Sequence, residues 1–218
     1  MATALLDLDG TLVDPALGIL NAYCRALAAM GHPVPDRASL TWVIGPALRV
    51  SFPKLLGPDA DIEAAIGHYR AYYGEIGLYE ATPYPGIHAA LTALRSAGHR
   101  LVLCTAKPEI YARRVVERFD LLPLLDAVFG PDLAGALDDK ADLIRHIFAT
   151  EGRDPAGVVM IGDRMFDIRA AKANGIPAIG VLWGYGTREE LAGARRLIAE
   201  PADLPEAFAA IVGGGPVR

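Results

Sequence analysis

The sequence predicts an α/β fold, a Rossmann-like core built on a parallel sheet and interrupted after its first strand by an all-α insertion. Short apolar runs end directly before polar side chains at Asp7, Thr105 and Asp163. Beyond residue 86, strand-like runs alternate with helix-like segments, which is typical of right-handed βαβ units in a sheet covered by helices on both faces. Residues 16–80, in contrast, show helical periodicity alone.

The first strand is predicted over residues 3–8, a short apolar run with a glycine behind it. Asp14 and Pro15 then indicate a helix start, with Asp14 as the N-cap residue and Pro15 at the first helical position. In the helical stretch that follows, apolar and tyrosine side chains recur at helical spacing. We interpret the stripe that includes Tyr69 and Tyr73 as core packing between helices.

After the proline-rich turn at residues 82–86, strands and helices alternate regularly to about residue 182. Functional sites in such sheets lie at the carboxyl ends of the strands. The predicted helices cover residues 87–97, 109–119, 140–151 and 166–174, and the predicted strands cover 100–104, 158–162 and 178–182, with one more short apolar run at 127–129.

Length and composition limit the class of protein. The 218 residues suit a core domain of residues 1–15 and 81–218 with residues 16–80 as a helical cap over its functional edge. Hydrophobic residues make up 52% and charged residues 22%, which is enough apolar surface for a substantial core. The Gly-Gly-Gly-Pro tail at 213–216 is expected to be disordered, and Cys24 and Cys104 to be buried free thiols.

Charge and hydropathy exclude two classes of partner. The formal net charge is -5, and no basic run that could follow a nucleic-acid backbone is present. No apolar stretch approaches the ~20 residues of a membrane span, and no leader-like segment precedes the first strand. We therefore expect a soluble cytoplasmic protein, a monomer or homodimer, that binds a small molecule.

Two acids, Asp7 and Asp9, stand two residues apart where the first strand ends, so both side chains can point to the same side. Such close carboxylates repel each other unless a cation lies between them or one takes up a proton. Gly10 permits the tight turn that follows. One acid can then act as a nucleophile and a ligand for a hard cation, and the other as a proton donor and acceptor.

Other charged side chains allow more than one interpretation. Lys140 lies in an acidic stretch and is either a site residue or part of a solvated charge run. Lys107 either contacts a substrate or pairs with Glu109. Arg49 is the best candidate in the cap for reaching an anionic substrate, and Asp167 is favoured as a supporting or helix N-terminal residue over a direct metal ligand.

These residues resemble the motifs of a known family. Residues 7–14 (DLDGTLVD) look like the first motif of the haloacid dehalogenase superfamily of phosphatases. Thr105 at the end of an apolar strand is similar to the second motif, Lys140 to the third, and residues 162–167 (GDRMFD) to the fourth. The resemblance covers nearly the whole chain, including a helical cap between the first two motifs.

Within this superfamily, further short segments look like one branch, the phosphoglycolate phosphatases and 5′-nucleotidases. These segments are Ile44-Gly45-Pro46, Thr105-Ala106-Lys107-Pro108-Glu109 and Gly184-Tyr185-Gly186.

The resemblance implies a division of roles among the acids. Asp7 would attack phosphorus and form an aspartyl-phosphate. Mg²⁺ would be held by the carboxylates of Asp7 and Asp163 and by the backbone carbonyl of Asp9, a small ligand set that suits this ion. The Asp9 side chain would protonate the leaving oxygen and then accept a proton from the attacking water. Asp167 would support the metal site.

The resemblance also implies a phosphate-binding set. Thr105 and the backbone amides near Gly10 and Ala106 would hold phosphoryl oxygens, while Lys140 would offset their negative charge. Additional substrate contacts are expected from Gly45, Arg49 and Lys107.

Asp9 narrows the choice of reaction, because dehalogenases and phosphonate-cleaving members of the superfamily lack an acid there. A β-phosphoglucomutase-type sugar-phosphate mutase, which shares the core and the kind of cap, is the closest enzymatic alternative. A phospho-acceptor signalling domain is the non-enzymatic alternative, but such domains lack this insertion and carry their acceptor aspartate after a later strand.

The sequence therefore predicts a magnesium-dependent phosphomonoesterase with a cap that closes over its substrate and excludes water. By resemblance, phosphoglycolate and nucleoside 5′-monophosphates are the first choices of substrate.

Overall fold

The computed structural model describes residues 1–214 of the 218-residue chain. Within them the chain divides into two compact units. The α/β unit consists of Met1–Asp14 together with the chain from Pro83 onward, and the helical unit of Pro15–Thr82. Residues 215 and 216 of the tail that we expected to be disordered lie outside the described residues.

Parallel pairing joins six strands of the α/β unit into one sheet, in the order β5-β4-β1-β6-β7-β8. The remaining two strands, β2 and β3, pair with each other. The strands are β1 Thr3–Leu6, β2 Val13–Asp14, β3 Thr82–Pro83, β4 Arg100–Cys104, β5 Ala127–Phe129, β6 Val158–Gly162, β7 Ala178–Val181 and β8 Arg196–Ile198. The predicted α/β fold with a parallel sheet is confirmed.

The eight α-helices of the described residues connect and cover these strands. They are α1 Ala16–Ala29, α2 Leu48–Leu56, α3 Ile62–Tyr73, α4 Ile87–Ser96, α5 Glu109–Arg118, α6 Lys140–Glu151, α7 Met165–Ala173 and α8 Leu204–Val212. In the α/β unit, α6 packs on α7 and α4 packs on α8. The central strand β1 is buried along its whole length, as expected of a parallel strand covered on both faces.

The hydrophobic core of the α/β unit is built from alternate residues of the strands. Leu5 of β1, Val102 of β4 and Met160 of β6 lie in one buried cluster with α6 and α7 residues such as Ile144 and Ile168. Because successive side chains of a strand point to opposite faces, the intervening residues face the other helical layer.

The helical unit has its own core. Helix α1 packs on α3, and α3 on α2. Tyr23 lies 4.7 Å from Phe52 and 5.0 Å from Tyr69 between ring centroids, and Tyr69 stacks on Tyr73 at 5.2 Å. Tyr69 and Tyr73 are both buried. The tyrosine stripe therefore packs between helices, as predicted.

The predicted start of the first helix is wrong by one residue. Helix α1 begins at Ala16, its N-cap residue is Pro15, and no side chain caps it. Asp14 belongs instead to β2, because the chain there pairs with β3. The Asp14 carboxylate accepts a hydrogen bond from the Tyr185 hydroxyl. Long-range pairing thus overrides a local capping signal.

Several elements were not predicted. Helix α2 contains Pro53 in its interior, which weakens any helical signal. Strand β8 has three residues, of which only Ile198 is buried. Helix α8 follows it, and its start signals, Pro205 and Glu206 in the first turn, were overlooked. The predicted first strand was also too long, because β1 ends at Leu6 and the polar turn begins at once.

Two expectations from composition can be compared with the structure. Cys104 is a buried free thiol, whereas Cys24 is free and partly exposed. Among the residues that the structure describes, no helix combines the length and the apolar character needed to cross a membrane.

Candidate active site

Three strand ends bring predicted site residues to one edge of the central sheet. Asp7 directly follows β1, Thr105 follows β4 and Asp163 follows β6. Strand β1 pairs with β4 on one side and with β6 on the other. The amide of Asp7 continues this pairing by donating to the carbonyl of Ile161 at 2.9 Å. The three side chains therefore emerge from adjacent strands.

The turn after β1 requires a glycine at position 10. The φ of Gly10 is +83°, in the left-handed region that strains a residue with a side chain. A Cβ at this position would overlap the carboxyl group of Asp163. The Gly10 amide donates to the carbonyl of Val13 at 2.8 Å and closes the turn. Gly10 thus permits both the turn and the close approach of Asp163.

Lys140 reaches this edge from the first residue of α6. Asp139 caps the helix by accepting hydrogen bonds from its first amides. The Lys140 ammonium lies 2.9 Å from Oδ1 of Asp7 and also pairs with Asp167. Burial alone would lower the pKa of Lys140, but the Asp167 and Asp7 carboxylates outweigh it and raise this pKa. Lys140 is therefore a buried cation and not part of a solvated charge run.

Three buried carboxylates lie together at this edge, and two of them, Asp7 and Asp167, contact Lys140. Asp7, Asp163 and Asp167 each offer an oxygen, and the three oxygens lie within 4.8 Å of one another. Burial, reinforced by the negative charges of Asp7 and Asp167, raises the pKa of Asp163 well above its usual value. Lys140 offsets one of the three negative charges. A buried set of oxygen donors with excess negative charge fits a hard divalent cation such as Mg²⁺.

Asp163 is held by groups on both sides. The backbone amide of Tyr185 donates to its Oδ2 at 2.7 Å, and the hydroxyl of Thr11 donates to its Oδ1 at 3.3 Å. The indole of Trp183 donates to the carbonyl of Thr11 at 3.0 Å. A Cβ on Gly184 would overlap both Asp163 and the carbonyl of Gly10. The 183–186 turn therefore fits closely around the Asp163 carboxylate.

Asp167 has two structural partners at the start of α7. Its Oδ2 accepts a hydrogen bond from the Arg164 amide at 3.0 Å, and its Oδ1 accepts one from Lys140. Burial raises the pKa of Asp167 to about 6, although Lys140 acts in the opposite direction. Asp167 therefore supports the helix N-terminus and also lies within the carboxylate cluster.

Asp9 occupies a different environment from Asp7. Its Oδ1 lies 2.6 Å from the ammonium of Lys107, and both side chains are buried. Burial raises the pKa of Asp9, and the opposing effect of Lys107 is smaller. We had predicted that Lys107 contacts a substrate or pairs with Glu109, and its pairing with Asp9 was not predicted. Glu109 forms an ion pair with Arg113 at 2.8 Å.

Thr105 and Ala106 lie beside this pair, at the end of β4. Thr105 is buried, and its hydroxyl oxygen accepts a hydrogen bond from the Lys107 amide at 3.2 Å. Ala106 is partly exposed. The local backbone thus turns around the Thr105 side chain.

Gly45 and Arg49, the predicted substrate contacts of the cap, belong to the helical unit. Gly45 has a φ of +106°. The Arg49 guanidinium makes a two-point ion pair with Glu63, at 2.8 and 3.0 Å. Their role as substrate contacts stays a prediction.

Sequence reasoning missed two groups that hold Asp163, Thr11 and the amide of Tyr185. Thr11 lies inside the first motif, and Tyr185 stands between two glycines, Gly184 and Gly186. The glycines were a visible signal for a close backbone approach. Nothing in the sequence indicated which residue they allow to approach.

The fold and the site together define a class of protein: an α/β enzyme whose carboxylates, lysine and threonine converge at the carboxyl ends of parallel strands. The family model of haloacid dehalogenase-like hydrolases matches residues 4–181, and the chain belongs to this family.

Relatives with known names agree with this assignment. A 5′-nucleotidase from Pseudomonas aeruginosa is 41% identical over 188 residues, which cover 86% of this chain and 85% of that protein. A phosphoglycolate phosphatase from Agrobacterium fabrum is 36% identical over 195 residues, covering 84% and 81%. The chain is also 36% identical over 182 residues to the tyrosine-protein kinase PtkA of Mycobacterium tuberculosis, but these cover only 62% of that protein.

A solved structure shows the same fold. The crystal structure of a predicted phosphatase from Clostridium acetobutylicum superposes with a TM-score of 0.91 at 36% identity, over 95% of this chain and 97% of that one. The predicted family, fold class and enzymatic character are confirmed.

Proposed function

We propose that this enzyme is a magnesium-dependent phosphomonoesterase that forms a phosphoryl ester on Asp7 and acts on small phosphorylated metabolites. One observation carries the proposal: the two acids of the first motif have separate cationic partners. Asp7 pairs with Lys140 inside the carboxylate cluster, while Asp9 pairs with Lys107. Two neighbouring carboxylates in different environments are suited to two different chemical roles.

In the first step, a carboxylate oxygen of Asp7 attacks phosphorus, and the bond from phosphorus to the ester oxygen breaks. Asp9, whose pKa is raised by burial, gives a proton to that oxygen, so that the leaving group departs as a neutral alcohol. Asp7 suits the nucleophilic role because the Lys140 ammonium, 2.9 Å from Oδ1 of Asp7, orients this carboxylate.

In the second step, water attacks the phosphorylated Asp7. Asp9, now ionised, accepts a proton from the water, and the bond between Asp7 and phosphorus breaks to release inorganic phosphate. Asp9 is thereby protonated again, and the cycle is complete. Such proton transfer is typically worth ~10²–10⁴ in rate.

The metal ligands are proposed to be the carboxylates of Asp7 and Asp163 and the backbone carbonyl of Asp9, with Asp167 in support. When bound, Mg²⁺ neutralises negative charge on the phosphoryl oxygens at this site. The carboxylate oxygens of Asp7, Asp163 and Asp167 lie within 4.8 Å of one another, which supports Asp7 and Asp163 as ligands and Asp167 beside them.

The phosphate-binding set is proposed to be Thr105, the amide of Ala106 and Lys140. The predicted contribution of Gly10 is revised, because its amide already donates to Val13 within the turn. The buried Lys140 keeps its positive charge, as its raised pKa indicates, and can offset charge around phosphorus.

The substrate class is proposed from the relatives. They include enzymes named as a 5′-nucleotidase and a phosphoglycolate phosphatase, so nucleoside 5′-monophosphates and phosphoglycolate are the first substrates to test. A sugar-phosphate mutase is distinguished by its product, since it isomerises its substrate and does not release phosphate.

The test is the release of phosphate from p-nitrophenyl phosphate and from these two substrates, with MgCl₂ and with EDTA. We expect turnover only with the metal. Asp7→Asn should abolish turnover, because an amide does not form the phosphoryl ester. Asp154→Asn, at an exposed aspartate, is the matched control and should behave like the wild type. Absence of phosphate release from every ester, or an active Asp7→Asn variant, would overturn the proposal.

A further inference from the structure

Lys107 is a buried cation to which the catalytic scheme assigns no step of its own beyond pairing with Asp9. Only 5% of its side chain is exposed, and its ammonium lies 2.6 Å from Oδ1 of Asp9, whose side chain is 11% exposed. Holding a lysine side chain in one buried conformation costs side-chain entropy. A buried ion pair is therefore weak evidence for stability and suggests another role.

The backbone around Lys107 is fixed in a way that aims its side chain. Its amide donates to the Thr105 hydroxyl oxygen at 3.2 Å. Its carbonyl lies so close to Gly130 that a Cβ there would overlap it. The next residue is Pro108, which restricts the conformation of Lys107 and precedes α5. The backbone of Lys107 is thus held between the ends of β4 and β5.

The two buried lysines of the site divide the two acids of the first motif between them. Lys140 comes from α6 and engages Oδ1 of Asp7, while Lys107 comes from the end of β4 and engages Oδ1 of Asp9. A carboxylate has two oxygens, and an ion pair on one of them limits rotation of the group. The arrangement therefore controls where the second oxygen of Asp9 points.

We propose that Lys107 is a positioning residue for Asp9: it holds Oδ1 so that the second carboxyl oxygen faces the leaving oxygen of the ester. This inference rests on the proposed function, in which Asp9 carries the proton to that oxygen. Lys107 acts through Asp9 and does not itself take part in bond making or breaking.

The proposal predicts a dependence on the leaving group. An alkyl phosphate such as ethyl phosphate needs a proton on its leaving oxygen. The leaving group of p-nitrophenyl phosphate, p-nitrophenolate, departs readily without one. Misplacing Asp9 should therefore penalise ethyl phosphate more. In Lys107→Met we expect kcat/KM for ethyl phosphate to fall by about tenfold or more, and for p-nitrophenyl phosphate by only about threefold. The ratio kcat/KM is the right quantity because it reports the step in which the ester bond breaks.

A double-mutant cycle separates positioning from direct substrate contact. If Lys107 works through Asp9, Asp9→Asn combined with Lys107→Met should be no slower on ethyl phosphate than Asp9→Asn alone, within about twofold. If the two losses multiply, Lys107 acts on the substrate independently of Asp9 and the proposal is wrong. An equal loss on both esters in Lys107→Met would indicate a general structural role and would also overturn it.

Two further variants guard against misfolding. Lys107→Arg keeps the charge and should restore part of the activity on ethyl phosphate, and its thermal unfolding midpoint should stay near that of the wild type. Lys172→Met, at an exposed lysine of α7, is the matched control and should leave both substrates unaffected. A wild-type protein that hydrolyses neither ester would refute the proposed function first, and this inference with it, before any variant is compared.

Discussion

At the scale of single residues, two carboxylates separated by one leucine differ because of the side chains that reach them. Asp7 belongs to a cluster with Asp163 and Lys140, and Asp9 belongs to a pair with Lys107. The difference arises from partners far away in the chain and not from the acids themselves. The two carboxylates therefore suit the two different roles proposed for them.

Gly10→Ala should reduce activity strongly. The new Cβ would overlap the Asp163 carboxyl group, and the φ of +83° would be strained. We expect Asp163 to shift, kcat/KM to fall by at least about tenfold, and the magnesium concentration for half-maximal activity to rise, because side-chain displacement weakens metal sites. Initial rates over a magnesium titration measure both effects.

Gly152→Ala is the matched control for this substitution. Gly152 also has a positive φ, +59°, but a Cβ there meets no atom within 4 Å. It should lower the free energy of unfolding by about 1–2 kcal/mol through strain alone and leave the magnesium dependence unchanged. Equal magnesium dependence in both variants would show that the Cβ at residue 10 does not disturb Asp163.

At the scale of elements, the 183–186 turn links Asp163, which follows β6, to residues of the first motif, which follows β1. The amide of Tyr185 binds Asp163 while its hydroxyl binds Asp14, the last residue of β2. Trp183 binds the carbonyl of Thr11. One turn after β7 thus holds both a proposed metal ligand and the second half of the first motif.

Tyr185→Phe should lower stability more than activity. The variant loses the hydroxyl bond to Asp14 but keeps the amide bond to Asp163. Hydrogen bonds to a charged group contribute about 1.5–3 kcal/mol, so we expect a loss of that order in the free energy of unfolding. Urea unfolding monitored by circular dichroism would measure it.

The double variant with Asp14→Ala tests whether this contact is the cause, because alanine has no side-chain group that accepts the hydrogen bond. If it is, the effects of the two substitutions should not add, and the interaction energy should be about 1 kcal/mol or more. Fully additive losses would mean that Tyr185 stabilises the protein by other contacts.

At the scale of the whole molecule, the buried carboxylates make stability depend on pH. The pKa of Asp167 is raised from 3.8 to about 6 in the folded state, chiefly by burial. The folded protein therefore binds a proton more tightly than the unfolded chain. Between about pH 4 and pH 6 its stability falls as pH rises, because the unfolded state loses the proton first.

Asp167→Asn removes this titration. Without divalent metal, the free energy of unfolding of the wild type relative to Asp167→Asn should decrease from pH 4 to pH 6.5 by about 2 kcal/mol, at ~1.4 kcal/mol per pKa unit. Urea unfolding in EDTA at a series of pH values measures this difference. A difference that stays constant, or that grows with pH, would contradict the assigned direction.

Magnesium supplies an independent readout of the same cluster. Because it binds the ionised carboxylates, its stabilising effect should grow with pH over the same interval, reaching about 2.7 kcal/mol at one hundred times its Kd. The effect should be much smaller in Asp163→Asn. An equal stabilisation of that variant would place the ion elsewhere.

Local sequence patterns determined the α/β class, most of the helices and strands of the core, and the strand ends that carry Asp7, Thr105 and Asp163. They could do so because apolar runs, glycine turns and helical periodicity depend on neighbours in the chain. The same patterns failed at Asp14, at α2 and at β8, where distant pairing or an internal proline outweighs the local signal.

Only the tertiary structure decided which cation meets which acid. Lys107 lies 98 residues from Asp9, and Lys140 lies 27 residues from Asp167, yet each pair is in contact. Tyr185 binds Asp163 across 22 residues. Such contacts follow from the order of strands in the sheet and from the turns between them. Local sequence patterns do not record this order, so they could not predict which of these side chains would be in contact.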